Sequence, residues 1–116
     1  MKTSNNRSFV RIPVKVRMLA RYEGEESGQL YFFSKNISAG GAFLESDLLL
    51  ERGTKVYLEF TLPNTQNLII VKSSVIWIKE DGDDPSVSAS GMGIKFVNLD
   101  DESRKLITQY IREHLK

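Results

Sequence analysis

Alternating apolar and polar residues divide most of the chain into short predicted strands. Every second residue is apolar in two of these segments, so one face of each strand is predicted to point inward. The inward residues of segments 14–22 and 54–62 are Val14, Val16, Met18, Ala20 and Tyr22, and Val56, Leu58, Phe60 and Leu62. Further strands are predicted at 29–38, 41–46, 68–80 and 91–97. Segment 81–90 is polar throughout and is predicted to be a loop.

The apolar spacing changes to a helical period near the C-terminus. Asp100 is predicted to cap a helix of about 100–115, because Asp101 and Glu102 follow it where a helix favours negative charge. Its apolar face consists of Leu106, Ile107, Tyr110, Ile111 and Leu115.

Five or six antiparallel strands followed by one amphipathic helix predict an all-β fold with one helix: a small six-stranded β-barrel with the helix packed against it. The 116 residues suffice for one such domain.

Composition excludes several classes of protein. The chain has no cysteine, which excludes a disulfide framework and thiolate metal sites, and its one histidine, His114, cannot form a His-rich metal site. No Gly-x-Ser-x-Gly motif is present, and the paired acidic residues fall in polar turns. We therefore expect no enzymatic activity, no cofactor and no metal. The absence of a long apolar run and of a signal peptide predicts a cytoplasmic protein without a membrane span.

Charge is distributed unevenly along the chain. Residues 1–22 contain six basic residues and no acidic one, which leaves ten basic and fifteen acidic residues, or a net charge of −5, for the remainder. Such asymmetry suggests an anionic partner for the basic segment. Equally, the basic strand can lie beside the acidic turns "EGEE" and "DGDD".

Two short motifs carry candidate binding chemistry. In "NISAGG", Asn36 and Ser38 are two apart on a predicted strand, so both side chains are expected to leave the same face, and Gly41 allows a ligand or another backbone to approach. The alternative is a strand that ends in a tight turn. In "NRSFVRIP", Arg7 and Arg11 present planar donors that suit a nucleobase or a phosphate, unless they are solvated residues of a tail.

Taken together, these motifs resemble the PilZ domain family of bacterial receptors for the second messenger cyclic di-GMP. Arg7-x-x-x-Arg11 and Asn36-x-Ser38-x-x-Gly41 match the two motifs of the family in order and spacing. The segments "GAFLES", "SSVIWIKE" and "GMGIKFVNLD" and the closing helix also resemble family segments. The resemblance implies a six-stranded β-barrel with a C-terminal helix. It also implies a flexible basic N-terminal arm at 1–12 and a barrel domain at 13–116.

The resemblance implies a role for each motif residue. Arg7 and Arg11 would stack on guanine and reach the phosphates of the ligand. Asn36 would bond a guanine edge, Ser38 would hydrogen-bond the ligand, and Gly41 would keep the surface open beneath it.

Three further residues are additional candidates for the site. In the family, the residue before the first arginine influences how many ligand molecules stack, and here it is the polar Asn6. Gly40 adjoins the second motif, and Trp77 either lines the same face or belongs partly to the core. Four basic residues are expected to add positive field without contacting the ligand: Lys15, Arg17, Arg21 and Lys35.

The function implied is that of a non-enzymatic receptor or adaptor. Cyclic di-GMP would bind on the barrel and order the arm, and a protein partner would read that change. Two alternatives remain open: a PilZ-like protein-interaction module that binds no ligand, and a barrel that binds single-stranded nucleic acid. The latter is less favoured, because few exposed aromatic residues are predicted. A monomer or a weak dimer is expected.

Overall fold

The computed structural model describes residues 10–23, 28–80 and 90–115, and within them the chain forms seven strands and one helix. The elements are β1 (Ile12–Pro13), β2 (Arg17–Glu23), β3 (Gly28–Ile37), β4 (Gly41–Glu45), β5 (Lys55–Thr61), β6 (Leu68–Lys79), β7 (Gly91–Asn98) and α1 (Asp101–Glu113). The strand order is β1-β3-β2-β5-β6-β7-β4, and β3 also pairs with β4. Strands β2 to β7 therefore close into a six-stranded antiparallel barrel. The predicted fold is confirmed.

The inward residues of the predicted alternating strands fill the barrel. All four apolar residues predicted to point inward at 54–62 are buried. In segment 14–22, Val16, Met18 and Ala20 are buried, whereas Val14 and Tyr22 are only partly covered. Alternation predicts these positions correctly because each strand has one face toward the core and one toward solvent.

Helix α1 begins where the sequence predicts. Asp100 is the N-cap, and its side chain accepts a 2.7 Å hydrogen bond from the backbone N–H of Ser103. That bond holds the pKa of the Asp100 carboxyl below its ordinary value. Ile107, Tyr110 and Ile111 join the barrel core, so the helix covers the same apolar interior that the strands enclose.

The helix ends earlier than the predicted 115. It stops at Glu113, with His114 as the C-cap. Leu115 therefore lies beyond the last turn and is 56% exposed, not part of the buried face.

The boundary of the N-terminal arm also differs from the expected residue 12. Ile12 is buried in the core and pairs with Ile37, so it belongs to the barrel. Burial of the Ile12 side chain in the core fixes the backbone of the adjacent residues. Residues 1–9 of the predicted arm at 1–12 and nearly all of the predicted loop at 81–90 lie outside the described residues.

Candidate functional site

A β-bulge at Lys35 changes which residues of β3 face outward. Ser34 pairs with Leu44, but Asn36 pairs with the adjacent Phe43, so one residue of β3 is skipped. Without this bulge, Asn36 would follow Ser34 by two positions and point into the barrel, as Ser34 does. Instead, Lys35 is exposed and Asn36 is half-buried on the outer surface.

A second bulge acts in the same way on β6. Val75 pairs with Ile94 and Trp77 pairs with the adjacent Gly93, so Ile76 is the skipped residue. Val75 is buried, and simple alternation would bury Trp77 as well. The bulge places the indole on the outer surface, where it is 45% exposed.

The Trp77 indole packs directly against the backbone of β7, where Gly93 has no side chain. A Cβ on Gly93 would overlap the indole ring, and a Cβ on Gly91 would overlap the ring of Phe43. The two rings stack with their centroids 5.2 Å apart and their planes inclined by 29°. The segment "GMG" thus serves to let two aromatic rings pack flat against β7.

Ser34 ties the N-terminal segment to the barrel. Its buried hydroxyl donates to the carbonyl of Val14 at 2.7 Å and accepts from the backbone N–H of Val16 at 2.9 Å. These bonds span the irregular stretch between β1 and β2, where direct strand pairing is interrupted. They hold β1 against β3, and with it the residue that precedes β1, Arg11.

Arg11 and Asn36 are joined directly. Arg11 Nη1 donates a hydrogen bond of 2.7 Å to Asn36 Oδ1. The pairing of Pro13 with Asn36 sets this geometry, because it brings the two chain segments side by side. The amide nitrogen of Asn36 and the other guanidinium N–H groups of Arg11 remain as donors for a ligand.

These side chains surround one shallow depression of about 260 Å³ on the outer barrel wall. The described residues that line it are Arg11, Lys35, Asn36, Phe43, Trp77 and Lys79. They provide three cations, an amide and an aromatic surface, and none of them carries a carboxylate. Such a lining suits a flat, aromatic and anionic ligand, through stacking on the indole and charge-assisted hydrogen bonds.

The structure does not place Ser38 on this surface. Ser38 follows the last residue of β3 and is fully buried, and its hydroxyl accepts hydrogen bonds of 3.1 Å from the backbone N–H groups of Gly40 and Gly41. The expectation that Ser38 and Asn36 leave the same face is therefore wrong. The side chain of Ser38 closes the turn from β3 to β4 instead of facing a ligand.

Gly41 likewise makes room for a backbone and not for a ligand. A Cβ at this position would overlap the carbonyl oxygen of Ile94 on β7. Gly40 holds the same turn to β7, because its carbonyl accepts a 2.9 Å hydrogen bond from the N–H of Phe96. Of the two interpretations of "NISAGG", the structure supports a strand end that runs into a tight turn, with Asn36 alone at the depression.

The remaining predicted residues fall in three places. Asn6 and Arg7 lie outside the described residues. Lys35 lines the depression, although it was expected to contribute only electrostatic field. The other basic residues lie elsewhere: Lys15 and Arg17 cover aromatic rings, and Arg21 forms an ion pair with Glu59.

Two lining residues were not predicted from the sequence. Lys79 follows Trp77 by two positions on β6, so the two side chains leave the same face of the strand. Lys79 could therefore be predicted once Trp77 is known to point outward. Phe43 gave no such signal, because an apolar residue in a short strand is usually part of the core.

The described parts of the chain lack two other kinds of feature, a metal-binding cluster and a membrane-spanning helix. No three histidine, cysteine, aspartate or glutamate side chains there lie close enough to hold a metal ion. No helix among the same residues is long and apolar enough to cross a membrane.

The sequence and the fold were compared with known proteins. A sequence model of the PilZ domain matches residues 5–113. No curated protein sequence is significantly similar to the chain. The Bacillus subtilis inhibitor of motility (MotI/DgrA) has a similar structure, with a TM-score of 0.76 and 25% identity over 99% of this chain and 54% of that one. The present chain therefore spans about half the length of that protein.

Two separately solved PilZ domains are also similar. The PilZ domain of YcgR from Escherichia coli, solved with cyclic di-GMP, has a TM-score of 0.70 and 15% identity, covering 94% of this chain and 91% of that one. The PilZ domain of CeSA from a cellulose-synthesizing bacterium has a TM-score of 0.58 and 18% identity, covering 90% and 99%. At these identities, the two likenesses establish the fold.

Proposed function

Because this chain belongs to the PilZ domain family, we propose that it is a non-enzymatic receptor that binds cyclic di-GMP at the depression beside Arg11 and Asn36. The observation that carries the proposal is the hydrogen bond between these two residues. It joins one residue from each of the two motifs at the edge of the depression. The YcgR domain solved with cyclic di-GMP supports the choice of ligand, because the two domains share a fold.

The chemistry of the depression fits this ligand. Cyclic di-GMP carries two negative charges and two guanines. Arg11, Lys35 and Lys79 supply positive charge, and the exposed face of Trp77 offers a surface on which a guanine stacks. Asn36 offers an amide nitrogen that donates to an acceptor on a guanine edge.

We assign the residues before Ile12 a closing role. Arg11 already lies at the depression, and Arg7 precedes it by four positions, so an arm that folds back over the ligand brings a second guanidinium to the nucleotide. The exposed surface then differs between the free and the bound states, and an effector protein reads that difference.

The absence of catalysis is part of the proposal. The described lining residues include no histidine, cysteine or carboxylate that would act as a nucleophile or a general base. The ligand is therefore expected to leave the site unchanged after incubation, as chromatography of the released nucleotide will show.

Calorimetric titration of cyclic di-GMP into the wild-type protein and an Arg7→Ala/Arg11→Ala double variant tests the proposal. We expect micromolar or tighter binding by the wild type, about −8 kcal/mol, and its loss in the variant. The heat profile also gives the number of ligands bound per site. Absence of heat with a folded protein would favour an interaction module without a ligand, and displacement of the nucleotide by a single-stranded oligonucleotide would favour a nucleic-acid-binding barrel.

A further inference from the structure

The outer surface that runs from β3 across β2 and β5 to β6 carries a second group of exposed aromatic, aliphatic and basic side chains, separate from the depression described above. We call it the side-wall patch. It consists of Lys15, Arg17, Tyr31, Phe33, Leu68 and Ile70. Its four aromatic and aliphatic members are each between 43% and 58% exposed, so about half of each side chain faces solvent. A group of such side chains on one surface is typical of an interaction site.

Two cations in this patch are held in position by aromatic rings. The Lys15 ammonium lies 4.8 Å from the centre of the Phe33 ring, and the Arg17 guanidinium lies 4.6 Å from the centre of the Tyr31 ring. Cation–π contacts of this kind restrict long side chains before any partner binds, so less rotamer entropy is lost on association.

Neither cation has a carboxylate partner among the described residues. The ion pair found there joins Arg21 to Glu59 and leaves Lys15 and Arg17 unpaired. A guanidinium stacked on a ring keeps the N–H groups in its plane free to donate. Glu59 lies on the same surface, but its carboxylate is bonded to Arg21, so Lys15 and Arg17 are positioned donors without a carboxylate partner among the described residues.

The patch includes a shallow depression. It has a volume of about 420 Å³, with Arg17 and Tyr31 on one side and Pro63 and Leu68 on the other. A shallow, partly apolar surface of this kind can contact a leucine-type side chain, while Lys15 and Arg17 meet neighbouring carboxylates.

From the charge and shape of the side-wall patch, we propose that it docks an acidic protein segment in which carboxylates alternate with aliphatic side chains. A flat anionic membrane is the poorer occupant, because the described lining of the depression has only two cations, Lys15 and Arg17, and a membrane surface is bound by a broad basic face. A single-stranded nucleic acid is also the poorer occupant, because cations already cover one face of the Phe33 and Tyr31 rings. The proposal does not depend on nucleotide binding at the other site.

The test is a titration of the full chain, free of nucleotide, with a short peptide in which aspartate and glutamate alternate with leucine, followed by two-dimensional amide NMR. We expect the largest shifts at the amides of Arg17, Tyr31 and Leu68, with a dissociation constant of about 1 mM or lower. Arg17→Glu is expected to weaken binding about tenfold, because repulsion replaces a charge-assisted contact. Leu68→Ser tests the apolar contact without a change in charge.

Arg52→Glu is the matched control, because Arg52 is an exposed arginine in a turn away from the patch. It introduces the same change in charge and should leave the peptide affinity within about twofold, as expected for a charge outside the interface. Thermal midpoints of all variants establish that they fold. The proposal is overturned if the peptide causes no shifts, if the shifts fall elsewhere on the barrel, or if Arg52→Glu weakens binding as much as Arg17→Glu. It is also overturned if phosphatidylglycerol vesicles or an oligonucleotide shift these amides and the peptide does not.

Discussion

Arg11 Nη1 lies 2.7 Å from Asn36 Oδ1, so the side chain that precedes the barrel is bonded to the side chain that the β3 bulge turns outward. Both partners are accessible to solvent, and a bond of this kind contributes little to folding. The hydrogen bond instead fixes the position of the Arg11 side chain. The guanidinium is already held at the depression, and an incoming ligand does not have to order it.

The first prediction concerns these two residues. Arg11→Ala and Asn36→Ala should each weaken cyclic di-GMP binding about tenfold or more, because each removes a contact worth about 1–3 kcal/mol. The double variant should lose less than the sum of the two, since the residues bond to each other as well as to the ligand. Calorimetry of the four proteins measures this coupling.

The matched control for this cycle is Arg52→Ala, which removes an exposed arginine outside the depression. Its ligand affinity should equal that of the wild type. The midpoints of thermal unfolding should change by no more than about 2 °C in any of these variants. A large fall in midpoint for Arg11→Ala would identify a structural residue instead of a ligand-binding one.

The second prediction separates a role in folding from a role in binding at Ser38. Removal of the buried hydroxyl leaves the N–H groups of Gly40 and Gly41 without their acceptor. Ser38→Ala should therefore lower the free energy of unfolding by about 1–3 kcal/mol. Its effect on ligand affinity should be smaller than that of Arg11→Ala. Urea denaturation and calorimetry measure the two effects.

Ser46→Ala provides the comparison for Ser38. The Ser46 hydroxyl also accepts from a backbone N–H, that of Leu48, but it lies in an exposed turn where water can replace it. We expect a distinctly smaller loss of stability. Equal losses in the two variants would show that burial of the Ser38 hydroxyl is not what makes it important.

The third prediction uses the only tryptophan of the chain as a reporter. Cyclic di-GMP should quench Trp77 fluorescence, because a guanine is expected to stack on the exposed face of the indole. Gly93→Ala should reduce both the quenching and the affinity, since the added methyl group displaces the indole from β7. Gly93→Ala should also lower the thermal midpoint, because the methyl group overlaps the indole, and a Trp77→Phe/Gly93→Ala double variant should recover part of that loss, because the smaller ring leaves more space. Unchanged fluorescence at saturating ligand would place the nucleotide elsewhere.

Most of the barrel follows from local pattern. The inward residues of β5 and the start of α1 at Asp100 are fixed by alternation and by helix capping, both of which act within a few residues. The family resemblance predicts Arg11 and Asn36 in one site, and the structure joins their side chains by a hydrogen bond. Their contact with a ligand stays a prediction.

The two bulges explain what the sequence did not reveal. Lys35 is skipped in the pairing of β3 with β4, and Ile76 is skipped in the pairing of β6 with β7, so each bulge depends on the register with a second strand. No local pattern shows that Trp77 changes face, because alternation from Val75 predicts an inward side chain. Ser38 was misplaced for a related reason: its position two residues after Asn36 shares a face only if the strand continues, and β3 ends at Ile37.

The fourth prediction concerns the N-cap of α1. The backbone N–H of Ser103 stabilises the ionised carboxyl of Asp100, which lowers the pKa of Asp100 from its ordinary value of 3.8. A lowered pKa in the folded state means that this stabilisation is fully present above the unfolded value and is lost as the pH falls through the folded one. Thermal midpoints should therefore decline less between neutral and strongly acidic pH in Asp100→Asn than in the wild type. Asparagine keeps the capping acceptor but does not titrate.

A parallel decline in both proteins would contradict this assignment. The Asp101→Asn variant is the control, because Asp101 is exposed in the first turn but does not accept the capping bond. It should retain most of the acid sensitivity of the wild type.

The fifth prediction addresses Lys79, which the structure adds to the site. If its ammonium lies near a ligand phosphate, Lys79→Ala should weaken cyclic di-GMP binding several-fold and reduce the sensitivity of binding to salt, because one screened attraction is lost. Calorimetry at low and at high ionic strength measures both quantities.

Lys72→Ala is the matched control for Lys79, since Lys72 is on the same strand and equally half-buried but does not line the depression. If only the overall positive charge of the barrel attracts the ligand, Lys72→Ala and Lys79→Ala should lower the affinity and its salt dependence equally. A specific phosphate contact requires that only Lys79→Ala flatten the salt dependence, with thermal midpoints unchanged in both. If neither variant changes the salt response, Arg7, Arg11 and Lys35 carry the electrostatic attraction, and the ligand does not extend to the β6 side of the depression.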